Sequence, residues 1–245
     1  MDKFASKEEK VHYVFERIAK RYDLMNSVLS AGFHKRWRKI TMKRMNIQPG
    51  QSAIDVCAGT GDWTVALAEQ IGAEGKVVGL DFSQEMLKYS YPKIEKAGVG
   101  KQASMIYGNA MDLPYEDNTF DHSTIGFALR NVPDIRKVLS EMMRVVKPGG
   151  QVVSLELSKP VWKPFRALYF FYFYKILPAI GNLASRDSIS YSWLPESLTN
   201  FPDQQELKKI MEEVGMTDVR VWNFFGGICA LHIGKKPVQK DLRNE

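Results

Sequence analysis

The 245-residue sequence predicts an α/β fold, a doubly wound and mostly parallel sheet with one antiparallel strand near its C-terminal end. Three observations predict it. From residue 52 onward, short β-branched runs alternate with longer stretches of helical period, the pattern of parallel strands joined by crossover helices. A glycine-bearing turn follows the first run, in IDVCAGTGDW (54–63). Near the end the order changes to a helix and then two strands joined at Gly226 and Gly227. That short join permits an antiparallel hairpin, which a uniformly parallel sheet could not contain.

The strands are read in order as SAIDV (52–56), KVVGLDF (76–82), SMIYG (104–108), FDHSTIGFAL (120–129) and QVVSLEL (151–157). Between them, WTVALAEQIG, SQEMLKYSYPKIEKAG and DIRKVLSEMMRVVK have helical period, with Ser83 a candidate N-cap and PGG a stop. DQQELKKIMEEVG (203–215) is a further helix, followed by DVRVWNFF and ICALHIGKK as the closing strands. The whole chain reads as one domain. Residues 1–50 form an N-terminal helical lid, with Val11, Val14, Phe15, Ile18, Tyr22 and Met25 at helical spacing. Residues 51–158 form the core, 159–200 an aromatic insertion and 201–245 the C-terminal helix and hairpin.

Bulk composition narrows the function. With 44% hydrophobic residues the chain can bury a full core. Its 34 Lys and Arg against 28 acids leave a net charge of +6, which favours anionic partners. The basic residues are spread along the chain, with no appended basic domain, so nucleic acid is not expected as a partner. Cys57 and Cys229 are the two cysteines, and their spacing indicates neither a disulfide framework nor a metal site. MDKFASKEEK has no apolar signal core, and a cytoplasmic location is expected. The most apolar stretch, FRALYFFYFYKILPAIG (165–181), is interrupted by Arg166, Lys175 and Pro178 and is too short to span a bilayer.

The glycine turn suggests a nucleotide-like cofactor. Gly59 and Gly61 are followed by Thr64 where a dinucleotide-binding fingerprint would place a third glycine. Asp55 and Asp62 flank the turn, a poor setting for a pyrophosphate but tolerable for a sulfonium and an ammonium group. Asp81, with Phe82 after it, ends the second strand twenty positions after Gly61, where an acid can accept two ribose hydroxyl protons. In YGNAMDLPYEDNTFD (107–121), Asn109 and Ala110 are placed to meet an adenine edge. Taken in order, these segments resemble the motifs of class I S-adenosylmethionine methyltransferases, whose fold is Rossmann-like.

Four further stretches resemble a narrower group: RYDLMNSVLSAGFHKRWR (21–38), IGFALRNVPD (125–134), EMMRVVKPGG (141–150) and YSWLPES (191–197). They are similar to the quinone-biosynthesis C-methyltransferases, which act on demethylmenaquinol and on the corresponding ubiquinone precursor. DVCAGTGDWT, GNAMDLP and YSWLPES look closest to the menaquinone branch. The resemblance covers nearly the whole chain and implies methyl transfer from S-adenosyl-L-methionine to a ring carbon of a polyprenylated quinol, the last step of menaquinone formation. It also implies cofactor contacts at Thr60, Asp81, Asn109 and Ala110. The sequence departs from the general pattern at Cys57, where a first loop glycine is common. A small residue suffices there if only Gly59 and Gly61 need unusual dihedrals.

Such a reaction needs a ring hydroxyl to lose its proton and the resulting phenolate to be stabilised. Arg130 and Asn131 follow the fourth strand at its carboxyl end, where ligands gather in open α/β sheets. A guanidinium has no lone pair to accept a proton. Arg130 is therefore assigned to the phenolate, with Asn131 orienting the ring oxygen. Tyr22 and His34 are candidate bases, and Asp23, Asn26 and Phe127 candidate substrate contacts; Tyr22 equally continues an apolar helix face, and Asp23 or Asn26 can cap a helix. Phe170 and Phe173 stand among seven aromatics of FRALYFFYFYKILP that line a tail groove, touch the lipid interface, or simply cover the sheet. Peripheral membrane contact follows from the first two, and a homodimer is left open. The competing readings are a methyltransferase acting on RNA or another acceptor, and a cofactor-binding protein without turnover.

Overall fold

The computed structural model describes residues 4–172, 174 and 188–238. Seven strands form one sheet: β1 Ser52–Val56, β2 Lys76–Asp81, β3 Ala103–Tyr107, β4 Phe120–Gly126, β5 Val146–Leu157, β6 Thr217–Phe224 and β7 Cys229–Lys235. Their spatial order is β3-β2-β1-β4-β5-β7-β6. The first five pair in parallel, and β7 runs antiparallel to both β5 and β6. Strand order reverses between β1 and β4, which opens a crevice at their carboxyl ends, the usual ligand position in this architecture. The fold is the Rossmann-like class I methyltransferase sheet with its single reversed strand.

The helices are α1 Lys7–Ile18, α2 Tyr22–Leu29, α3 Phe33–Met45, α4 Asp62–Ile71, α5 Gln84–Lys96, α6 Ile135–Val145, α7 Lys163–Phe171, α8 Ser188–Asn200 and α9 Gln204–Glu213. Two cores form, one per face of the sheet. Ile54, Ile125 and Val152 meet Leu139 and Met142 of α6 and Leu207 and Met211 of α9. On the other face Ala53, Val153 and Leu231 meet Leu67 and Ile71 of α4, Leu87 of α5 and Trp37 of α3. Ser83 caps α5 by accepting from the Met86 N–H at 3.1 Å, and Asp203 caps α9 in a reciprocal box with Glu206.

Three local expectations shift. The apolar series from Val11 to Met25 is one helical pattern, but the chain forms a 3-10 turn at Ala19–Arg21 between α1 and α2. The break lets Val11 and Val14 meet Trp193 while the Tyr22 ring lies over Gly59, where an added Cβ would stand 3.8 Å from it. β4 ends at Gly126 rather than Leu129, because Phe127 takes a left-handed φ of 58° that no strand continues through. The helical period of 134–147 stops at Val145, since the fully buried Val146 pairs with Phe120 and begins β5.

Candidate active site

The carboxyl ends of β1, β2, β3 and β4 border a small cleft lined by Gly59, Asp81, Phe82, Asn109, Ala110 and Asn131, with Phe15 and Tyr22 closing it from the N-terminal helices. Beside it lies a cavity of about 840 Å³ with mainly apolar walls. Val14 and Ile18 of α1, Trp37 of α3, Tyr169 of α7, and Trp193 and Leu194 of α8 line it, as does Phe127. Its few polar linings include Tyr22, Asn26, Ser30, His34 and Arg130. Phe15 and Tyr22 border both spaces, so they stand where the two meet.

The turn after β1 is built for close approach. Gly59 and Gly61 have φ of 56° and 82°, and Cys57 also sits at φ 56°. The expectation that only the glycines need such dihedrals is therefore corrected. A non-glycine residue in this region costs about 1–2 kcal/mol, and the cost is offset here by the backbone pairing of the next residue, Ala58, with Leu80. Asp81 accepts the Gly59 N–H at 2.7 Å and the Ser83 N–H at 2.9 Å, which holds the turn against the end of β2. Burial pushes its carboxyl up to about 6, opposed by those backbone donors. Near pH 7 Asp81 is thus mainly ionised and keeps acceptor capacity for vicinal hydroxyls.

Three residues expected at the cofactor do not line the cleft. Asp55 is buried beneath the turn, where its carboxylate accepts from Thr64 at 2.8 Å and from Thr124 at 3.0 Å. Its register opposite Thr124 on β4 makes the second contact inevitable. The Thr60 hydroxyl donates to Asp23 at 2.7 Å and accepts from Lys93 at 2.8 Å, so it faces the N-terminal helices and α5. Gly61 is the left-handed N-cap of α4 and lies against Ser90, whose Cβ an added methyl would approach at 3.0 Å. Asp23, expected at the substrate, is likewise absent from the large cavity. It pairs with Lys93 at 2.7 Å, which also holds Asp62, itself bonded to Arg38 at 3.1 Å.

Burial raises the Asp55 carboxyl to about 7, the two threonine hydroxyls opposing it. An acid raised above its unfolded value of 3.8 lends stability below that value and loses it as pH climbs through about 7. Asp55→Asn should therefore flatten the fall in stability between pH 4 and 7, by several kcal/mol at about 1.4 kcal/mol per pKa unit. Thermal unfolding of wild type and variant at pH 4.5, 5.5 and 7 checks this; parallel curves would show that Asp55 does not titrate in that window.

Arg130 lines the large cavity, and its Nη1 donates to the Phe127 carbonyl at 2.6 Å and to Glu156 at 2.5 Å. Glu156 is 1% exposed, and it also accepts the Leu157 N–H at 2.8 Å. The Arg130 Nε has no hydrogen-bond partner among the described residues. Asn131 faces the small cleft rather than the large cavity, which corrects its assignment to the ring oxygen. Its Oδ1 accepts from the Trp193 indole at 2.9 Å, leaving a buried, unpartnered Nδ2 at the cleft. Burial raises Tyr22 above the ordinary phenol range, opposed by the neighbouring Asn26 side chain, so its hydroxyl keeps its proton at neutral pH and cannot serve as the base. His34 and Asn26 line the large cavity. Phe170 does not; it lies among Tyr169, Leu198 and Tyr174. Phe173 lies outside the described residues.

Glu156, Trp193, Ser30 and Lys93 are the functional neighbours that sequence reasoning passed over. Glu156 carried a legible signal, as a lone acid inside the apolar run QVVSLEL. The partners of Trp193 and Lys93 are distant in sequence, and no local pattern announces them.

The sequence profile of the ubiE/COQ5 methyltransferase family matches residues 3–236. The chain belongs to the ubiE/COQ5 methyltransferase family. It is 53% identical over 233 residues to the demethylmenaquinone methyltransferase of Shouchella clausii, covering 95% of this chain and 99% of that relative. The demethylmenaquinone methyltransferase of Bacillus cereus is also 53% identical, over 235 residues, covering 96% and 99%. Among solved structures, a SAM dependent methyltransferase from Aquifex aeolicus superposes with a TM-score of 0.61 at 22% identity, covering 81% of this chain and 89% of that one, a likeness of fold. Among the described residues, no helix is long and apolar enough to cross a membrane.

Proposed function

We propose that this enzyme transfers a methyl group from S-adenosyl-L-methionine to a ring carbon of demethylmenaquinol, giving menaquinol. The observation that carries the reading is the large apolar cavity adjoining the Asp81 cleft at Tyr22, with Arg130, paired to the buried Glu156, on its wall. A greasy cavity with few polar groups suits an isoprenoid quinol and offers nothing to a phosphate backbone. The names of the curated relatives support the menaquinone branch over the ubiquinone precursor.

The cleft residues fit the cofactor. Asp81 can accept from the ribose hydroxyls, Asn109 and Ala110 border the space an adenine needs, and the buried Asn131 Nδ2 has a donor to give. When bound, S-adenosyl-L-methionine supplies an electrophilic methyl on a positive sulfonium. Arg130 places a fixed positive charge where the phenolate oxygen develops, and Glu156 and the Phe127 carbonyl hold that guanidinium in one orientation. Tyr22 and Phe15 keep the ring at the junction and exclude water from it. The N-terminal helices α1 and α2 serve as the lid over the cleft: Glu16 of α1 accepts from the Ser83 hydroxyl at 2.7 Å, and Asp23 of α2 ties to Thr60.

Methyl transfer from radiolabelled S-adenosyl-L-methionine to reduced demethylmenaquinone in detergent tests the reading. Label in the quinone is expected. Cofactor binding without transfer would move the acceptor elsewhere, and a steep loss of substrate binding with salt would then point to RNA.

The reading extends to a cytoplasmic enzyme that touches the membrane surface. Leu168 and Phe171 of α7 line the cavity and are exposed, as are Trp162 at the start of α7 and Leu24 and Val28 on α2, with Lys163 on α7 and Lys35 and Arg36 on α3 as exposed cations. Trp162→Ser combined with Val28→Ser should weaken binding to anionic vesicles by roughly tenfold or more and leave cofactor affinity unchanged. Equal losses in both measurements would remove the membrane role.

A further inference from the structure

We propose that His34 is the base that takes the ring hydroxyl proton, through an Nε2 lone pair that Ser30 keeps free of a proton; this rests on the methyl-transfer reading above. The argument begins at Ser30, whose hydroxyl oxygen lies 2.6 Å from the Asn26 carbonyl oxygen and 2.7 Å from His34 Nδ1. A carbonyl oxygen has no proton to give, so the one proton of the Ser30 hydroxyl lies between those two oxygens. Toward the imidazole Ser30 can then only accept. His34 therefore carries its proton on Nδ1, and in the neutral ring Nε2 is an acceptor. No described residue hydrogen-bonds Nε2.

The surroundings keep the ring neutral. Burial is the largest influence and lowers the affinity of His34 for a second proton; Arg38 and Lys35 on its own helix act in the same direction, while Asp62 of α4 and Asp23 of α2 oppose them. Both acids are already engaged by cations, Asp62 by Arg38 and Lys93, and Asp23 by Lys93. At neutral pH the imidazole is thus an unprotonated base with a defined tautomer. Three other groups at or behind the cavity wall are disqualified by chemistry. Tyr22 keeps its proton, Arg130 has no lone pair, and Glu156 is taken up by Arg130 and the Leu157 N–H.

The steps balance. The ring hydroxyl gives its proton to Nε2, forming imidazolium, and Arg130 holds the phenolate. The ring carbon's electron pair forms the new C–C bond as the S–C bond breaks with its pair staying on sulfur. The methylated carbon then loses its proton to water, the oxygen regains one from the imidazolium, and one proton is released overall.

His34→Gln should lower kcat by about 10²–10⁴ with cofactor affinity within about twofold of wild type. Wild-type kcat/KM should fall with unit slope below a pKa under the ordinary 6.5 of histidine, and the variant should lose that acid limb. In His34→Gly, added imidazole should restore part of the rate through the space left on the cavity wall. Ser30→Ala, which removes the tautomer constraint together with the bonds to the Asn26 carbonyl and from the His34 N–H, should cost about tenfold in kcat. Transfer to quinol by wild type with an undiminished rate in His34→Gln, or a slow variant that retains the acid limb and ignores imidazole, would overturn the proposal. Absence of quinol methylation by wild type would instead fail the function itself.

Discussion

Arg130→Ala is expected to lower kcat/KM by about 10²–10³, the usual cost of removing one donor from a developing oxyanion. The same change should lower stability by about 3–5 kcal/mol, because Glu156, 1% exposed, would hold a buried charge without its counter-ion. The two effects separate in the double variant Arg130→Ala with Glu156→Gln. Removing the stranded carboxylate should return most of the stability and none of the rate. Urea midpoints and initial rates measured side by side decide it. A single variant with wild-type turnover would take Arg130 out of the chemistry and leave it as a brace for Phe127 and Glu156.

The second large effect lies on the cofactor side. Asp81→Ala should raise the dissociation constant for S-adenosyl-L-methionine by about 10²–10⁴, since each hydrogen bond to a charged acceptor contributes roughly 1.5–3 kcal/mol and the ribose offers two hydroxyls. The loss of acceptors for the Gly59 and Ser83 N–H groups adds to it by loosening the turn. Asp81→Asn, which keeps the shape and one acceptor, should lose less. Calorimetric titration gives both numbers, and an unchanged affinity in Asp81→Ala would put the ribose somewhere else in the cleft.

Much of this architecture was legible because its signals are local. The short run SAIDV, buried on both faces, and the period of 3.6 in DIRKVLSEMMRV mark a central strand and a one-sided helix, and a buried sheet with crossover helices has few ways to be built. Gly226 and Gly227 announced the reversed β7 by leaving so short a join. Asp81, Phe82, Asn109 and Ala110 were legible at the cleft for the same reason: each ends a strand or follows one, and the sheet carries all such positions to one edge. Where local reading failed, the cause was a neighbour distant in sequence. Asp23 and Thr60 are 37 positions apart, yet they bond each other and Lys93 instead of ligands. Asn131 follows the end of β4 as its sequence position implies, but the Trp193 indole, 62 positions away, holds it on the cofactor side. Cys57 takes a glycine's dihedral because the turn must meet both β2 and α4, a demand that its own identity does not show.

By itself the sequence determined the sheet and the order of its motifs, which follow from periodicity and from residues that act within one turn of the chain, while the kind of cofactor followed from the resemblance of those motifs to the class I methyltransferases. The tertiary structure decided which side chains reach the cavities and in what protonation state. Tyr22 holds its proton, Ser30 sets the tautomer of His34, and Glu156 fixes Arg130, because burial and hydrogen-bond partners, which set a group's charge and direction, are assembled from segments that meet only in the folded chain.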